Sequence, residues 1–482
     1  MNWKGFLFVV FFLTGGVCAT AQIKFQRSYG GAMFNEGRSV KQTFDGGYII
    51  AGSTSSFGFG ATDMLLIKTD GLGNGVFAKT FGGVDIDRGY DVVQLNDSGY
   101  AICGYTNSLG NGGYDGYLVR TDKNGDTLWT KTYGGTDWDF LYSIQQTSDS
   151  GFILAGETFS FGNGQNDMYL IKTNSLGDTL WTTTFGGDSS EVAYSVQQTF
   201  DGGYILTGYT KSMGAGEKDV YLIKTNSLGD SLWTKVFGGM NDEEGNCVKQ
   251  TLDSGYIVGG YTASFGLAGY DDIYLVKTNS SGDTTWTRSV GSPDNKRVTF
   301  LVQRLDGGYV LVGSTTGQGN PDILFWRTDT TGDWIGSGSP GGLNEDIGYC
   351  IQKTTDGGYI IVGNTKSFGT GLLNVFLVKM DSTGSSGTYN SVNDLANNKN
   401  HIEVFPNPFS RFTTIIIHPE INQNESASFE LYNVFGVEVR SKIIKNGETT
   451  FQLSREDLPA GVYTYKILSS ETIIGVGKII IQ

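Results

Sequence analysis

Histidine is nearly absent from this chain: 482 residues contain two, His401 and His418, both in the last fifth. The first four-fifths thus offer no imidazole for a catalytic triad, for histidine acid–base chemistry or for a His-ligated zinc. Cysteine is also sparse, at four, with no Cys-x-x-Cys pair. Cys103, Cys247 and Cys350 lie too far apart for a disulfide framework and read as small buried apolar residues. The longest apolar run, FLFVVFFL near the start, is too short to span a bilayer. Positive charge is outweighed, giving a net charge of −15, which argues against nucleic acid or an anionic membrane as partner.

Glycine is abundant instead, with 72 residues against seven prolines, and aromatics make up 13%. That composition fits many tight turns around a core, not disorder. The glycines are periodic. An Asp-(Gly/Ser)-Gly-aromatic signature starts at Asp45, Asp97, Asp149, Asp201, Asp253, Asp306 and Asp356, at intervals of 52, 52, 52, 52, 53 and 50 residues. Seven copies of fixed length mean one supersecondary unit per copy, stacked on its neighbours. Each copy carries four strand signals, as in YSIQQT, FILAGET, MYLIKT and TLWTKTY, separated by Gly/Asn/Asp turns. Runs such as VYLIK are apolar at consecutive positions, as in a strand covered on both faces. No segment of the repeat has helical periodicity. Four antiparallel strands repeated seven times predict an all-β fold, a seven-bladed β-propeller.

The chain ends predict how the ring closes. IKFQRSYGG, before the first copy, is a fourth-strand signal with no first three strands, whereas the last copy stops after FLVKM. The N-terminal strand is expected to complete the last blade, leaving no open sheet edge. An open solenoid is the rival, and it would need polar capping repeats that the sequence does not show.

Residues 1–21 read as a secretory signal: Lys4, the apolar run, then Ala-Thr-Ala before Gln22, with cleavage between Ala21 and Gln22. Cys18 follows Gly-Gly-Val, a poor lipoprotein anchor. The propeller is expected over 22–382, followed by a Ser/Asn/Gly-rich linker at 383–401. Residues 402–482 have strand-like runs (TTIIIH, SFELYN, VYTYKIL, KIII) and no repeat signature, which fits a small Ig-like β-sandwich.

Four blocks in this last unit carry a resemblance: VFPNPFS with Pro406, Asn407 and Pro408, LYNVFG ending at Gly436, LPAGVY with Leu458, Pro459, Gly461 and Tyr463, and the terminal GKIIIQ with Lys478. In this order they resemble the C-terminal sorting domain of the bacterial type IX secretion system. The resemblance implies passage through the periplasm, delivery across the outer membrane by the type IX machinery, and cleavage of the tag, with the cargo released or anchored to surface lipopolysaccharide. The bland alternative is an ordinary Ig-like module. In the repeats, KTNSLGDTLWTK-type segments resemble the tryptophan-docking motif of quinoprotein-like propellers. Trp129, Trp181, Trp233 and Trp286 recur in step, Phe25 and Phe77 fill the matching slots, and Trp334 falls two positions out of phase. No dedicated polar set for a quinone cofactor is visible, so these aromatics read as interblade core.

No catalytic residue stands out, no metal site is complete, and no cofactor is expected. Asp63, Asp115, Asp167, Asp219, Asp271 and Asp322, with Asn374, recur before the third strand of each blade and are expected to hold loops by accepting backbone N–H groups. Binding residues should instead break the repeat, on the face carrying the fourth-to-first and second-to-third strand loops. Candidates are Trp138 between Asp137 and Asp139, with Asp85, Asp87 and Tyr270. An aromatic beside carboxylates suits a sugar, although a single Trp also serves local packing. Asp85/Asp87 and Asp137/Asp139 raise calcium as a ligand, but neither pair completes a D-x-D-x-D-G loop.

The sequence points to an exported, monomeric, non-enzymatic binding or adhesion scaffold for a glycan or protein. The alternatives are a carbohydrate-active enzyme using two loop carboxylates 5–10 Å apart, or a purely structural repeat module.

Overall fold

The computed structural model describes residues 22–316, 320–387, 402–417, 427–435, 437–445, 447–469 and 472–482. The leader with Ala21, both histidines, Gly436 and most of the expected linker lie outside the described residues. No helix occurs among those described.

Residues 22–387 form seven four-stranded antiparallel sheets, numbered here as blades 1 to 7. Blade 3 is typical, with strands Asp139–Gln146, Phe152–Thr158, Asp167–Thr173 and Thr179–Phe185 in that spatial order. The first three strands of blade 7 are Asp346–Lys353, Tyr359–Thr365 and Asn374–Met380, and its outer strand is the N-terminal Phe25–Tyr29, paired Phe25 to Lys379. Blade 7 abuts blade 1, where Asn35 N–H donates to Leu373 O at 2.9 Å. The packing runs slightly past the expected boundary at 382, because Gln26 Nε2 donates to the Gly387 carbonyl at 2.8 Å.

Third strands such as Val220, Leu222 and Ile223 are buried throughout, since both sheet faces meet neighbouring blades. Between blades, each docking aromatic meets a ring of the next blade: Trp181 lies 5.9 Å from Tyr204, Trp233 5.7 Å from Tyr256, and Phe25 6.0 Å from Tyr48. The turn glycine of the next blade covers the same indole. A Cβ on Gly177 would sit 2.7 Å from the Trp129 ring, and φ there is 77°, so glycine is required twice over. In blade 6 the fourth strand begins at Trp334, and Gly336 pairs with Arg327 where the other blades place tryptophan or phenylalanine. Phe325, from the third strand, packs 5.9 Å from Tyr359 instead.

The first turn of each blade is the Asp-(Gly/Ser)-Gly signature. Positive φ falls on its middle residue, which is serine in three copies: Ser98 at 68°, Ser150 at 66° and Ser254 at 64°. The invariant third-position glycine answers crowding, since a Cβ on Gly151 would strike the Thr173 carbonyl. The three cysteines are free and buried. Burial pushes the Cys103 and Cys247 thiols up, consistent with packing rather than reactivity.

The C-terminal unit packs a three-stranded sheet (Ile402–Phe405, Phe412–Ile417, Thr450–Ser454) against a four-stranded one (Glu438–Ile444, Ala427–Tyr432, Gly461–Ser469, Thr472–Ile481). Phe409, Leu431, Leu458 and Tyr463 lie in its core. Asn407 joins the first block to the last strand, donating to Lys478 O and accepting from Ile480 N–H, both at 2.8 Å. Tyr463 OH reaches Pro459 O at 2.8 Å, closing the LPAGVY block on itself.

Candidate functional site

A cavity of about 810 Å³ runs through the centre of the propeller, lined by the first strands of all seven blades. Each first strand carries a β-bulge midway along it, for example between Gly37 and Ser39 or between Leu141 and Ser143. A bulge places one extra residue on its strand and re-aims its side chain. The seven bulged residues, Arg38, Tyr90, Tyr142, Tyr194, Asn246, Thr299 and Tyr349, all line the cavity. No two blades beyond the tyrosine-bearing ones repeat the same residue there, so the wall is asymmetric.

One side of the wall is aromatic. Tyr90 and Tyr142 lie 5.0 Å apart, and Tyr142 and Tyr194 5.9 Å apart. Arg38 lies 4.2 Å from the Tyr349 ring centroid and 5.5 Å from that of Tyr90, with Glu36 holding it at 2.9 Å. Tyr142 OH donates to Glu157 at 2.5 Å, and Asn166 donates to the same carboxylate at 2.6 Å. Burial raises the Glu157 pKa, with both hydrogen bonds opposing the shift. Deeper in the cavity, burial works against the Lys41 charge, but Asp91 at 3.4 Å outweighs it and the ammonium is held up at about 12.

The aromatic wall continues to the loop face. Phe140 stacks on Tyr142 at 6.3 Å, Trp138 lies 6.5 Å from Phe140, and Tyr114 and Phe159 each lie 5.9 Å from Trp138. Trp138 is 52% exposed at the outer end of this track. Of the residues singled out from sequence, Trp138 and Asp137 therefore lie together on the exposed loop beside the cavity. Asp85 occupies the equivalent exposed loop of blade 2, and Tyr270 a partly exposed loop of blade 5.

Asp87 and Asp139 must be withdrawn as ligand contacts. Both are fully buried, and each carboxylate holds its own loop: Asp87 accepts from Gly83 N–H and Ser108 OH, and Asp139 from Gly135 N–H and Ser160 OH. The third-strand aspartates behave as expected, Asp115 accepting from Asn111 N–H at 2.9 Å. In blade 5, however, the loop-holding residue is Asp272 and not Asp271, because the preceding loop is one residue longer. Asp271 instead pairs with Arg297 at 2.6 Å.

Comparison with known proteins agrees with the two-part architecture. Regulatory protein FlaEY of Caulobacter vibrioides is 24% identical over 224 residues, 39% of this chain and 23% of that protein. A puromycin hydrolase structure covers 83% of this chain and 62% of its own, with a TM-score of 0.51 and 10% identity. The WD40 domain of Neurospora crassa Pan2 covers 77% of this chain and 99% of its own, with a TM-score of 0.45 and 10% identity. The chain thus spans less than a quarter of the curated relative and under two-thirds of the hydrolase; such likenesses speak to fold alone. The tail is matched as a family: residues 403–482 fit the secretion system C-terminal sorting domain, so this chain carries a type IX sorting tail behind a repeated β-propeller region.

Proposed function

We propose that the propeller is an exported, non-enzymatic binding module whose site is the track from Trp138 through Phe140 to Tyr142 and the central cavity. The sorting tail implies export through the type IX machinery, and surface retention on lipopolysaccharide or release follows as the fate of the mature chain. The carrying observation is the continuity of exposed and channel-lining rings on one side, with Arg38, held by Glu36, packed against the Tyr90 end of the same wall. Aromatic faces stack on the apolar faces of sugar rings, while guanidinium and carboxylate groups satisfy hydroxyls. The ligand class is therefore a polyhydroxylated chain, a glycan.

A glycan-array screen of the mature chain tests this reading. Selective binding should fall at least tenfold in Trp138→Ala and in Tyr142→Ala. No binding in the wild type, or binding untouched by both changes, counts against it. Glu157 favours a second reading, since a partly buried carboxyl whose pKa is raised by desolvation, beside Tyr142, suits a general acid. Release of reducing ends from a bound glycan, abolished in Glu157→Gln, would make the protein a carbohydrate-active enzyme.

A further inference from the structure

Three residues beyond each bulged residue, about 10 Å further along the first strands, the bore has a second tier. Five of its seven side chains carry N–H donors: Lys41, Gln145, Gln197, Lys249 and Gln352. The other two are Val93 and Val302. No carboxylate belongs to this tier, in a chain whose net charge is −15.

The neighbouring blades fix which way the three glutamines present themselves. Gln145 Oε1 accepts from Gln198 N–H at 2.6 Å, Gln197 Oε1 from Gln250 N–H at 2.8 Å, and Gln352 Oε1 from Gln42 N–H at 2.5 Å. A backbone N–H can only donate, so each carboxamide commits its oxygen and keeps its NH2 spare. The next glutamines along the strands behave differently. Gln42, Gln94, Gln198 and Gln303 use both ends, accepting from a neighbouring blade's N–H and donating to a carbonyl of their own first turn. Among the described residues, Nε2 of Gln145, Gln197 and Gln352 has no such acceptor.

The two lysines are unequal. Lys41 meets Asp91 at 3.4 Å, a carboxylate already engaged by Ser39 OH and by the N–H groups of Val92 and Ile144. Lys249 has no carboxylate partner among the described residues, whereas Arg38 and Arg297, the other cations of the bore, pair with Glu36 and Asp271. The Lys249 ammonium lies 4.6 Å from the Phe300 ring centroid, and that of Lys41 lies 5.7 Å from the same ring.

Ammonium and amide donors around an apolar ring, with no free acceptor among them, fit a ligand group that only accepts. We propose that this tier is an oxyanion subsite, which takes a carboxylate or sulfate group against Lys249 and Lys41. Joined to the glycan reading, on which this further step rests, it selects chains carrying uronate or sulfate substituents over neutral ones. The aromatic track then stacks sugar rings while the tier below reads their charge.

The test is calorimetric titration of the mature chain with sodium sulfate and with glucuronate, at constant ionic strength. The wild type should bind, and Lys249→Met should weaken binding roughly tenfold, the loss expected for one charge-assisted bond. Since Lys249 has no carboxylate partner, that change should leave the melting temperature unaltered. Gln197→Glu keeps an acceptor for Gln250 N–H and puts an anion in place of the spare donor, so it should abolish binding. No binding heat with either salt in the wild type overturns the subsite, as does binding undiminished in both variants. A glycan array separates this outcome from the earlier reading. Acidic glycans bound by the wild type should be lost in Lys249→Met, while Trp138→Ala weakens every chain bound. Sulfate binding with no glycan binding upholds the subsite and removes the glycan step. Neutral-glycan binding by a wild type that takes neither anion overturns the subsite and leaves the glycan reading standing.

Discussion

The Lys172 ammonium lies 2.9 Å from the Asp149 carboxylate, its side chain 5% exposed while that of Asp149 is 58% exposed. The aspartate opens the first turn of blade 3 and also accepts Gly151 N–H at 3.0 Å, so one carboxylate closes the hairpin and neutralises a buried lysine from the third strand. Lys68 with Asp45, Lys224 with Asp201, Lys277 with Asp253 and Lys379 with Asp356 repeat the pair.

Removing the carboxylate leaves the ammonium buried without its partner. Asp149→Ala should therefore destabilise the propeller by about 2 kcal/mol, read from denaturant unfolding. Lys172→Met, which removes the charge and keeps the apolar stem, should cost less. An equal loss in both variants would mean that packing and not charge dominates.

The pair also fixes a pH window. Burial alone would raise the Asp149 pKa, but bonds from Thr147, Lys172 and Gly151 N–H, with the nearby ammonium, bring it down to about 2. A depressed carboxylate stabilises above its unfolded value, near 3.8, and loses that contribution as pH falls through 2. Melting temperature should thus drop between pH 4 and pH 2, and Asp149→Asn should show a shallower drop.

Serine at positive φ stores strain in three turns. Ser98→Gly, Ser150→Gly and Ser254→Gly should each stabilise by up to about 1 kcal/mol, reduced by the extra freedom of glycine in the unfolded chain. The reverse change Gly202→Ser, at φ 83°, should destabilise by a like amount. Chemical denaturation of the four variants provides the check.

The N-terminal strand holds blade 7 and blade 1 together: Phe25 packs on Tyr48, and Tyr29 OH donates to Gly73 O at 2.6 Å. Deleting Gln22–Gly31 should cost roughly 3 kcal/mol or more from those two rings alone. An unchanged melting temperature would show that the strand is dispensable.

Deleting 403–482 should leave the propeller's melting temperature unchanged while holding the protein inside the cell envelope, as followed by fractionation. Loss of folding on deletion would mean that the tail is part of the structure and not only its address.

Much of this was legible in the sequence because a repeat multiplies every signal. Turn aspartates, docking tryptophans and the orphan strand at Phe25–Tyr29 were each marked by position within the period. The candidate site was only half legible. Trp138 breaks the repeat in a loop and stands out, whereas Tyr142 and Arg38 sit inside strands, where alternation gives no hint of a bulge. Asp271 misled because a fixed count cannot register the one-residue insertion before Asp272.

The bulges have a consequence for how such a molecule can change. Because the extra residue is excluded from the strand's pairing, its backbone is free of the ladder while its side chain still faces the bore. Some of these side chains also tie blades together: Asn246 donates to Val298 O at 2.7 Å and Thr299 to Gly348 O at 2.8 Å in the next blade. Tyr194, which makes no such bond to a neighbouring blade's backbone among the described residues, is thus a position where the wall can change with less consequence for the framework than Asn246 or Thr299.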